Sequence, residues 1–309
     1  MQSTYSLVSI IGATASSKTK VAALLANAID GEIISADSRQ VYKGMNLGTG
    51  KDYEDYIVNK KHVPYHLIDI VSPGHEYNIF EYQQDFTEAY GAIKSRNKYP
   101  IMCGGSGLYV ESILKNYRLL DVPSNKELRD SLKDKSLEGL IEILKQYKSE
   151  LHNKTDIETH RRATRAIEIE EYYAKHPTAV SNIPKIKSLI VGIKYDREQR
   201  RKRITERLQR RFREGMSTEV EALLESGVKP ETLIYYGLEY KFVTLYIIGE
   251  ISKQEMEEKL NVAIHQFAKR QMTWFRGMER RGFHINWIDG NLPHDEKVKS
   301  IINMMREKT

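Results

Sequence analysis

The sequence predicts an α/β protein, with a parallel sheet flanked by helices and an all-helical insertion. Over the first 120 or so residues, short apolar runs that end in turns alternate with helical patterns. Such alternation is typical of parallel strands joined by helices. Charged helical patterns then follow, until a strand-like run at 187–195 returns the chain to the sheet. We therefore expect a core of residues 1–123 and 185–309, interrupted by a helical insertion at 124–184.

The first strand leads into a phosphate-binding pattern. The apolar run 7–11 stops at Gly12, and Lys18 and Thr19 then open a helical pattern. In a P-loop of this layout, backbone N–H groups and the positive end of the helix dipole face an anion. The lysine would neutralise phosphate and the threonine hydroxyl would hold Mg²⁺. The motif has Gly where this chain has Ser17, and Gly tolerates a positive φ more easily. The sheet is therefore predicted to be of the P-loop type.

Further strands would end beside this loop. Strand 32–36 ends at Asp37, strand 66–71 follows, and strand 99–103 runs into the glycine turn 104–107. In open α/β sheets ligands bind at the carboxyl ends of the strands. Asp37 is thus a candidate functional residue, although a turn or helix-capping role fits its position equally well.

Helical patterns occupy most of the remaining sequence. They cover 21–29, 78–97 and 108–115 in the core, 125–134, 136–147 and 155–175 in the insertion, and 197–213, 218–226 and 253–278 after it. A short strand at 284–288 and a tail helix complete the chain.

Positive charge is concentrated in one helix. The chain carries a net charge of +6, yet residues 197–213 alone hold nine Arg or Lys against two Glu. This basic stripe indicates a polyanionic partner. The cluster 160–165 is also basic, but a solvated helix face explains it equally well. Basic and aromatic residues interleave near Arg270 and Trp274, a pattern that suits RNA or a protein core.

Composition excludes several classes of protein. Apolar residues make up 40% of the chain and charged residues 29%. No apolar run is long enough to span a membrane, and no signal-peptide pattern is present, so we expect a cytoplasmic protein. The single cysteine, Cys103, excludes an internal disulfide and a multi-cysteine zinc site.

Six motifs, in order over about 260 residues, resemble those of the tRNA dimethylallyltransferase (tRNA isopentenyltransferase) family. They are GATASSKT (12–19), EIISADSRQVYKGMNLGTGK (32–51), YHLIDIVSP (65–73), GGSGLYV (104–110), RATRAIE (162–168) and FAKRQMTWFR (267–276). Some positions depart from the family pattern, among them Ala13, Ser17 and Arg39. These departures leave open an RNA-binding paralogue with weakened catalysis.

The resemblance implies a reaction. A dimethylallyl group would pass from dimethylallyl diphosphate to N6 of the adenosine 3′ to the anticodon, in tRNAs that read codons beginning with U. It further implies Mg²⁺ as cofactor, the tRNA anticodon stem-loop as a partner that contacts the insertion, and a monomer. The P-loop alone would also fit a small-molecule kinase that uses ATP, or prenylation of free adenine nucleotides.

The resemblance also assigns residues. The implied catalytic residues are Asp37, Thr14, Lys18 and Ser106, with Asp37 taking the proton from N6. The implied diphosphate-binding or nucleotide-binding residues are Gly12, Ala13, Thr14, Ala15, Ser16, Ser17, Lys18, Thr19, Arg207 and Arg211, with Thr19 also at the metal. The implied tRNA-binding residues are Asp37, Ser38, Arg39, Gln40, Ser106, Arg161, Arg162, Ala163, Thr164, Arg165 and Arg270.

Overall fold

The computed structural model describes residues 4–147, 157–177 and 184–307. Parts of the predicted insertion, including the first residues of the helix predicted at 155–175, lie outside these ranges. None of the described helices is both long and apolar enough to cross a membrane.

The chain divides into two compact units. The core unit comprises Met1–Asn116 and Ile183–Thr309, and the helical unit comprises Tyr117–Asn182. The predicted insertion, 124–184, therefore starts seven residues later than the helical unit and ends two residues later.

Within the described residues of the core unit, six strands form one sheet with the order β5-β2-β6-β1-β7-β8. The strands of the chain are β1 Leu7–Ile11, β2 Gly31–Ser35, β3 Ile57–Val58, β4 Lys61–His62, β5 Tyr65–His66, β6 Tyr99–Gly104, β7 Ser188–Lys194 and β8 Asn286–Asp289. Every pairing in the sheet is parallel, and Val8 of β1 lies opposite Ile101 and Leu189. Strands β1 and β2 are buried throughout, which explains why they read as continuous apolar runs.

Helices cover the sheet and follow it. They are α1 Lys18–Ile29, α2 Ile79–Ser95, α3 Gly107–Leu114, α7 Arg197–Arg213, α8 Met216–Glu225, α9 Pro230–Tyr235, α10 Leu238–Ile247, α11 Lys253–Arg280 and α12 His294–Arg306, with α4 Lys126–Leu132, α5 Leu137–Tyr147 and α6 His160–Lys175 in the helical unit. Local signals set several ends: Asn78 and Ser252 each form a capping box with the glutamate three residues later. The predicted α/β class, a parallel sheet flanked by helices, is confirmed.

The third predicted strand is wrong for most of its length. It was expected at 66–71, but β5 ends at His66. Leu67 and Asp69 adopt left-handed conformations with φ of 62° and 56°, which no strand accommodates. Asp69 accepts hydrogen bonds from Lys51 and Tyr53, so contacts with another loop override the local apolar pattern.

The sheet order places the functional loops side by side. β6 lies between β2 and β1, and the three strands are parallel, so their carboxyl ends meet at one edge. The turns that begin at Ala36, Gly12 and Gly104 follow these ends. Gly104 must be glycine, because a Cβ there would lie 2.1 Å from the carbonyl oxygen of Ala36.

Candidate active site

A cavity of about 1480 Å³ lies at this edge of the sheet in the core unit. It is lined by the phosphate loop, the turn Asp37–Gln40, the loop 47–56, the turn at Gly104, and residues of α7, α10 and α11. Its volume exceeds the 300–1,000 Å³ that is usual for sites of small ligands. The cavity therefore has room for more than one small molecule, or for part of a larger one.

The side chain of Lys18 forms hydrogen bonds within the phosphate loop itself. Lys18 Nζ donates to the Ala13 carbonyl oxygen at 2.7 Å and to Ser16 Oγ at 3.3 Å. Burial lowers the pKa of Lys18 to about 8. Thr19 follows in the first turn of α1 and lines the same cavity. The loop thus presents a partly desolvated cation beside a hydroxyl.

Ser17 occupies the conformation for which the motif uses glycine. Its φ and ψ are 57° and 29°, in the left-handed region, and Ala15 has a φ of 60°. The loop therefore has the left-handed conformation that the glycine of the motif would allow, and in this chain a serine adopts it.

Two residues tie the turns together. Ser106 Oγ accepts a hydrogen bond from the backbone N–H of Ser38 at 3.0 Å. Gln271 of α11 is nearly buried: its Oε1 accepts from the Thr14 backbone N–H at 2.8 Å and its Nε2 donates to the Gly105 carbonyl oxygen at 3.0 Å. We did not predict a role for Gln271, although it lies within the motif FAKRQMTWFR.

Asp37 makes a turn hydrogen bond and also lines the cavity. Its Oδ1 accepts from the backbone N–H of Arg39 at 2.9 Å, as in an Asx turn. It also lines the cavity together with Lys18 and Ser106. The turn therefore holds the carboxylate at the mouth of the phosphate loop, where it can accept a proton from a bound ligand.

Arginines of α7 face the phosphate loop across the cavity. Arg207 donates to Thr14 Oγ1 at 3.2 Å and to Asp52 Oδ2 at 2.8 Å. Arg211 is only 5% exposed, and its nearest carboxylates, those of Asp52 and Glu239, lie 3.9 Å away. Within the described residues, its Nε and one terminal nitrogen have no hydrogen-bond partner. An anion bound in the cavity would accept the hydrogen bonds that these two nitrogens of Arg211 can donate.

Arg211 retains its charge at neutral pH. Burial, and then the charge of Arg207, lowers the pKa of Arg211 to about 10. Gly50 makes their approach possible, because it has a φ of +74° and a Cβ there would lie 2.0 Å from an Arg211 nitrogen. Arg207 and Arg211, both predicted for the anion site, therefore lie close together in the cavity wall beside Gly50.

A carboxylate that we did not predict supports the loop beneath these arginines. Glu219 of α8 accepts hydrogen bonds from three consecutive backbone N–H groups, those of Asn46, Leu47 and Gly48, at 2.7–3.1 Å. Gln40 Nε2 donates to the Gly50 carbonyl oxygen at 3.0 Å. Gln40, which was predicted to contact tRNA, thus forms a hydrogen bond with the loop at Gly50, against which Arg207 and Arg211 pack.

The remaining candidates for RNA contact in the core unit lie at the cavity wall. The Arg39 guanidinium lies 5.7 Å from the centre of the Tyr235 ring, which is 50% exposed. Arg270 is exposed and lies 5.9 Å from the centre of the Phe267 ring. Each pair places a cation beside an exposed aromatic face, an arrangement that can stack on nucleobases.

In the helical unit the predicted cluster is already engaged. Arg162 pairs with Glu158, and Arg165 donates to Glu168 and to the Val122 carbonyl oxygen, both at 2.7 Å. Arg161 is exposed. Ala163 and Thr164, which were also predicted to contact tRNA, are 0% and 8% exposed because they lie on the buried face of α6.

The described residues contain no group of three or more His, Cys, Asp or Glu side chains that could hold a metal ion. Thr19 is the predicted protein ligand, and it lines the cavity beside Lys18. A magnesium site here would therefore depend on ligand oxygens and water, as is common where Mg²⁺ binds phosphates.

Comparison with solved structures supports the fold. The structure matches the tRNA isopentenylpyrophosphate transferase of Bacillus halodurans with a TM-score of 0.70 at 28% identity, covering 97% of this chain and 95% of that one. It also matches a eukaryotic dimethylallyltransferase with a TM-score of 0.78 at 20% identity, covering 98% and 81% of the two chains. At that identity the second match shows the fold alone.

Comparison with known sequences agrees with the resemblance. A tRNA dimethylallyltransferase 2 of Phocaeicola vulgatus is 58% identical over 98% of this chain and 99% of its own length. A tRNA dimethylallyltransferase 1 of Parabacteroides distasonis is 59% identical over the same shares. The model of the IPP transferase family matches residues 40–278. The predicted resemblance is confirmed, and the chain belongs to the IPP transferase family.

Proposed function

We propose that this protein transfers a dimethylallyl group from dimethylallyl diphosphate to N6 of the adenosine 3′ to the anticodon, in tRNAs that read codons beginning with U. The observation that carries the proposal is one cavity in which a phosphate loop, converging arginines and a carboxylate face the same space. The names of the close relatives support it. We place the reaction in the cytoplasm and the protein in a monomeric state.

The anion site suits the diphosphate of the donor. Lys18 and the loop N–H groups would contact it from one side, and Arg207 and Arg211 from the other. Arg211 would gain the hydrogen bonds that the described residues do not give it. These cations stabilise the negative charge that develops on the leaving diphosphate, which is where such groups lower a barrier most.

Mg²⁺ fits this arrangement through the Thr19 hydroxyl and the diphosphate oxygens. When bound, it supplies further positive charge at the leaving group. Thr14 would help to orient the diphosphate, because hydrogen bonds with Gln271 and Arg207 hold it in place.

The carboxylate of Asp37 suits the acceptor. As N6 of adenine forms its bond to C1 of the dimethylallyl group, the C1–O bond breaks and diphosphate leaves with that electron pair. Asp37 accepts the proton that N6 must lose, provided N6 lies within hydrogen-bond distance. The target base reaches this site only when it is extruded from the anticodon loop, which costs a few kcal/mol. Arg39, Arg270 and the neighbouring aromatic rings would bind the surrounding RNA.

The test is a transfer assay followed by nucleoside analysis. Purified protein with dimethylallyl diphosphate, Mg²⁺ and unmodified tRNA should yield N6-isopentenyladenosine. Asp37→Asn should reduce turnover by about 10²-fold or more, with little change in tRNA affinity, because only the proton acceptor is lost. A protein that forms no prenylated nucleoside but transfers phosphoryl groups from ATP would overturn the proposal in favour of the kinase alternative.

A further inference from the structure

The serine in the phosphate loop has an unusual partner. Ser17 is the N-cap residue of α1, a position at which a serine hydroxyl usually accepts from the first turn of the helix. Here its side chain makes no such capping bond. Instead Ser17 Oγ accepts a hydrogen bond from a terminal nitrogen of Arg203, in α7, at 2.7 Å.

The same arginine binds the loop a second time. Arg203 Nε donates to the carbonyl oxygen of Ala15 at 3.0 Å. Its guanidinium lies 4.5 Å from the centre of the ring of Tyr195, which is itself 8% exposed. Tyr195 thus restricts the plane of the guanidinium, and Arg203 reaches both non-glycine residues of the loop that have a positive φ.

We propose that Arg203 and Ser17 form a clasp that holds the phosphate loop in its anion-binding conformation, so that Arg203 is a positioning residue for the diphosphate. Glycine would adopt this backbone freely but would offer Arg203 no side-chain acceptor. Serine disfavours the backbone, and the clasp offsets that cost with a charge-assisted hydrogen bond. The clasp thereby explains both why serine replaces the glycine of the motif and why Arg203, 186 positions away, contacts the loop. The inference rests on the proposed function only in that the anion is a diphosphate.

The clasp predicts that two substitutions at position 17 change diphosphate affinity to different extents. Ser17→Ala keeps the disfavoured backbone and loses the acceptor, so its affinity for inorganic diphosphate should fall about tenfold, as expected for a hydrogen bond to a charged group. Ser17→Gly loses the acceptor but gains a free backbone, so its affinity should stay within about threefold of the wild type. Calorimetric titration with inorganic diphosphate and Mg²⁺, without RNA, measures both.

A double-mutant cycle separates positioning from direct contact. Arg203→Gln should cost about tenfold in diphosphate affinity in the wild-type background and about threefold or less in the Ser17→Gly background. Equal losses in the two backgrounds would mean that Arg203 binds the anion itself, and would overturn the clasp. Arg306→Gln, which removes a charge from an exposed side chain near the end of α12, should leave the affinity unchanged.

Turnover gives a second readout. Ser17→Ala should raise the KM for dimethylallyl diphosphate about tenfold and change kcat less than threefold, because the clasp prepares the loop before the donor binds. A fall in kcat at constant KM would contradict it.

If Arg203→Gln does not fold, as judged by thermal unfolding, the comparison of Ser17→Ala with Ser17→Gly still tests the clasp, since both variants retain Arg203. A wild type that binds diphosphate with the expected coupling but prenylates no tRNA would overturn the proposed function and leave the clasp standing.

Discussion

Helices α6 and α7 both carry clusters of arginine, yet the side chains of these clusters have different partners. In α6 the arginines are neutralised within the helical unit: Arg162 by Glu158, and Arg165 by Glu168. In α7 the described residues give Arg197, Arg200 and Arg201 no ion pair. Arg207 and Arg211 of the same helix lie in the cavity wall. A count of charges already separates the two helices, because residues 197–213 hold nine Arg or Lys against two Glu, whereas residues 160–175 hold four against three.

The comparison shows what each cluster is for. A buried carboxylate that receives several donors holds a small helical unit together, as Glu168 does with Arg129, Arg165 and the Asn125 N–H. A buried guanidinium whose donors are unsatisfied, as in Arg211, is costly to the fold and is retained where a ligand completes it. In α6 the contacts of Glu168 therefore stabilise the helical unit, whereas in α7 the described residues leave two donors of Arg211 open to a ligand.

The largest effect that tests this difference is expected at Arg211. Arg211→Met should weaken diphosphate binding by about 10²-fold, because it removes a desolvated cation from the anion site. The same change should leave the melting temperature unchanged or raise it by a few degrees, because the buried, unsatisfied donors disappear. Calorimetry with inorganic diphosphate and a thermal melt measure the two effects. A large fall in stability with unchanged affinity would assign Arg211 to the structural class of α6.

The matching substitution in α6 should behave in the opposite way. Burial alone would raise the pKa of Glu168, but hydrogen bonds from Arg129 and Arg165 and from the Asn125 backbone hold it at about 2. Glu168→Gln should destabilise the helical unit by about 3 kcal/mol, since it removes the buried carboxylate charge to which Arg129 and Arg165 donate. Affinity for inorganic diphosphate should not change. Denaturant unfolding followed in the helical unit is the measurement, and an unchanged midpoint would refute the structural role.

The pH dependence of this contact has a definite sign. The pKa of Glu168 is lower in the folded protein than its ordinary value of 4.5, so its contribution to stability is fully present above about pH 4.5. It is lost as the pH falls toward 2. The helical unit of Glu168→Gln should therefore show a weaker loss of stability over this range than that of the wild type.

A smaller effect is expected from pH at the phosphate loop. Lys18 binds the anion as a cation, and burial lowers its pKa to about 8, so diphosphate affinity should fall as the pH rises above 8, at up to about tenfold per pH unit. Lys18→Arg should flatten the profile, because arginine stays charged over this range. A slope that persists in Lys18→Arg would place the titrating group elsewhere.

Local signals predicted much of the fold. Helix α7 begins and ends at the predicted residues, because Asp196 caps it and the basic pattern fills it. Helix α2 begins one residue after Asn78, whose capping box is encoded within four residues. The strand predicted at 66–71 failed because Lys51 and Tyr53 impose the turn at Asp69. No pattern within that segment contains this information.

The same reasoning explains which site residues were found. The loop from Gly12 to Thr19 and the carboxylate of Asp37 belong to contiguous motifs, so spacing alone places them at the edge of a sheet. Gln271 acts on Thr14 across 257 positions, and Glu219 acts on Gly48 across 171. Such partners are set by the packing of α8 and α11 against the loops. They could be identified only once the fold was known.

The smallest expected effect sharpens the comparison within α6 itself. If Arg162 contacts RNA, as its motif implies, Glu158 competes with the phosphate for it. Glu158→Gln should then increase tRNA affinity about twofold to threefold at low salt, by freeing a cation, while changing stability by less than about 0.5 kcal/mol, since the pair is exposed. The gain should vanish at high salt and in the double variant with Arg162→Gln. A gain that survives in the double variant would mean that the lost negative charge acts at long range, and that Arg162 is a structural arginine like Arg165.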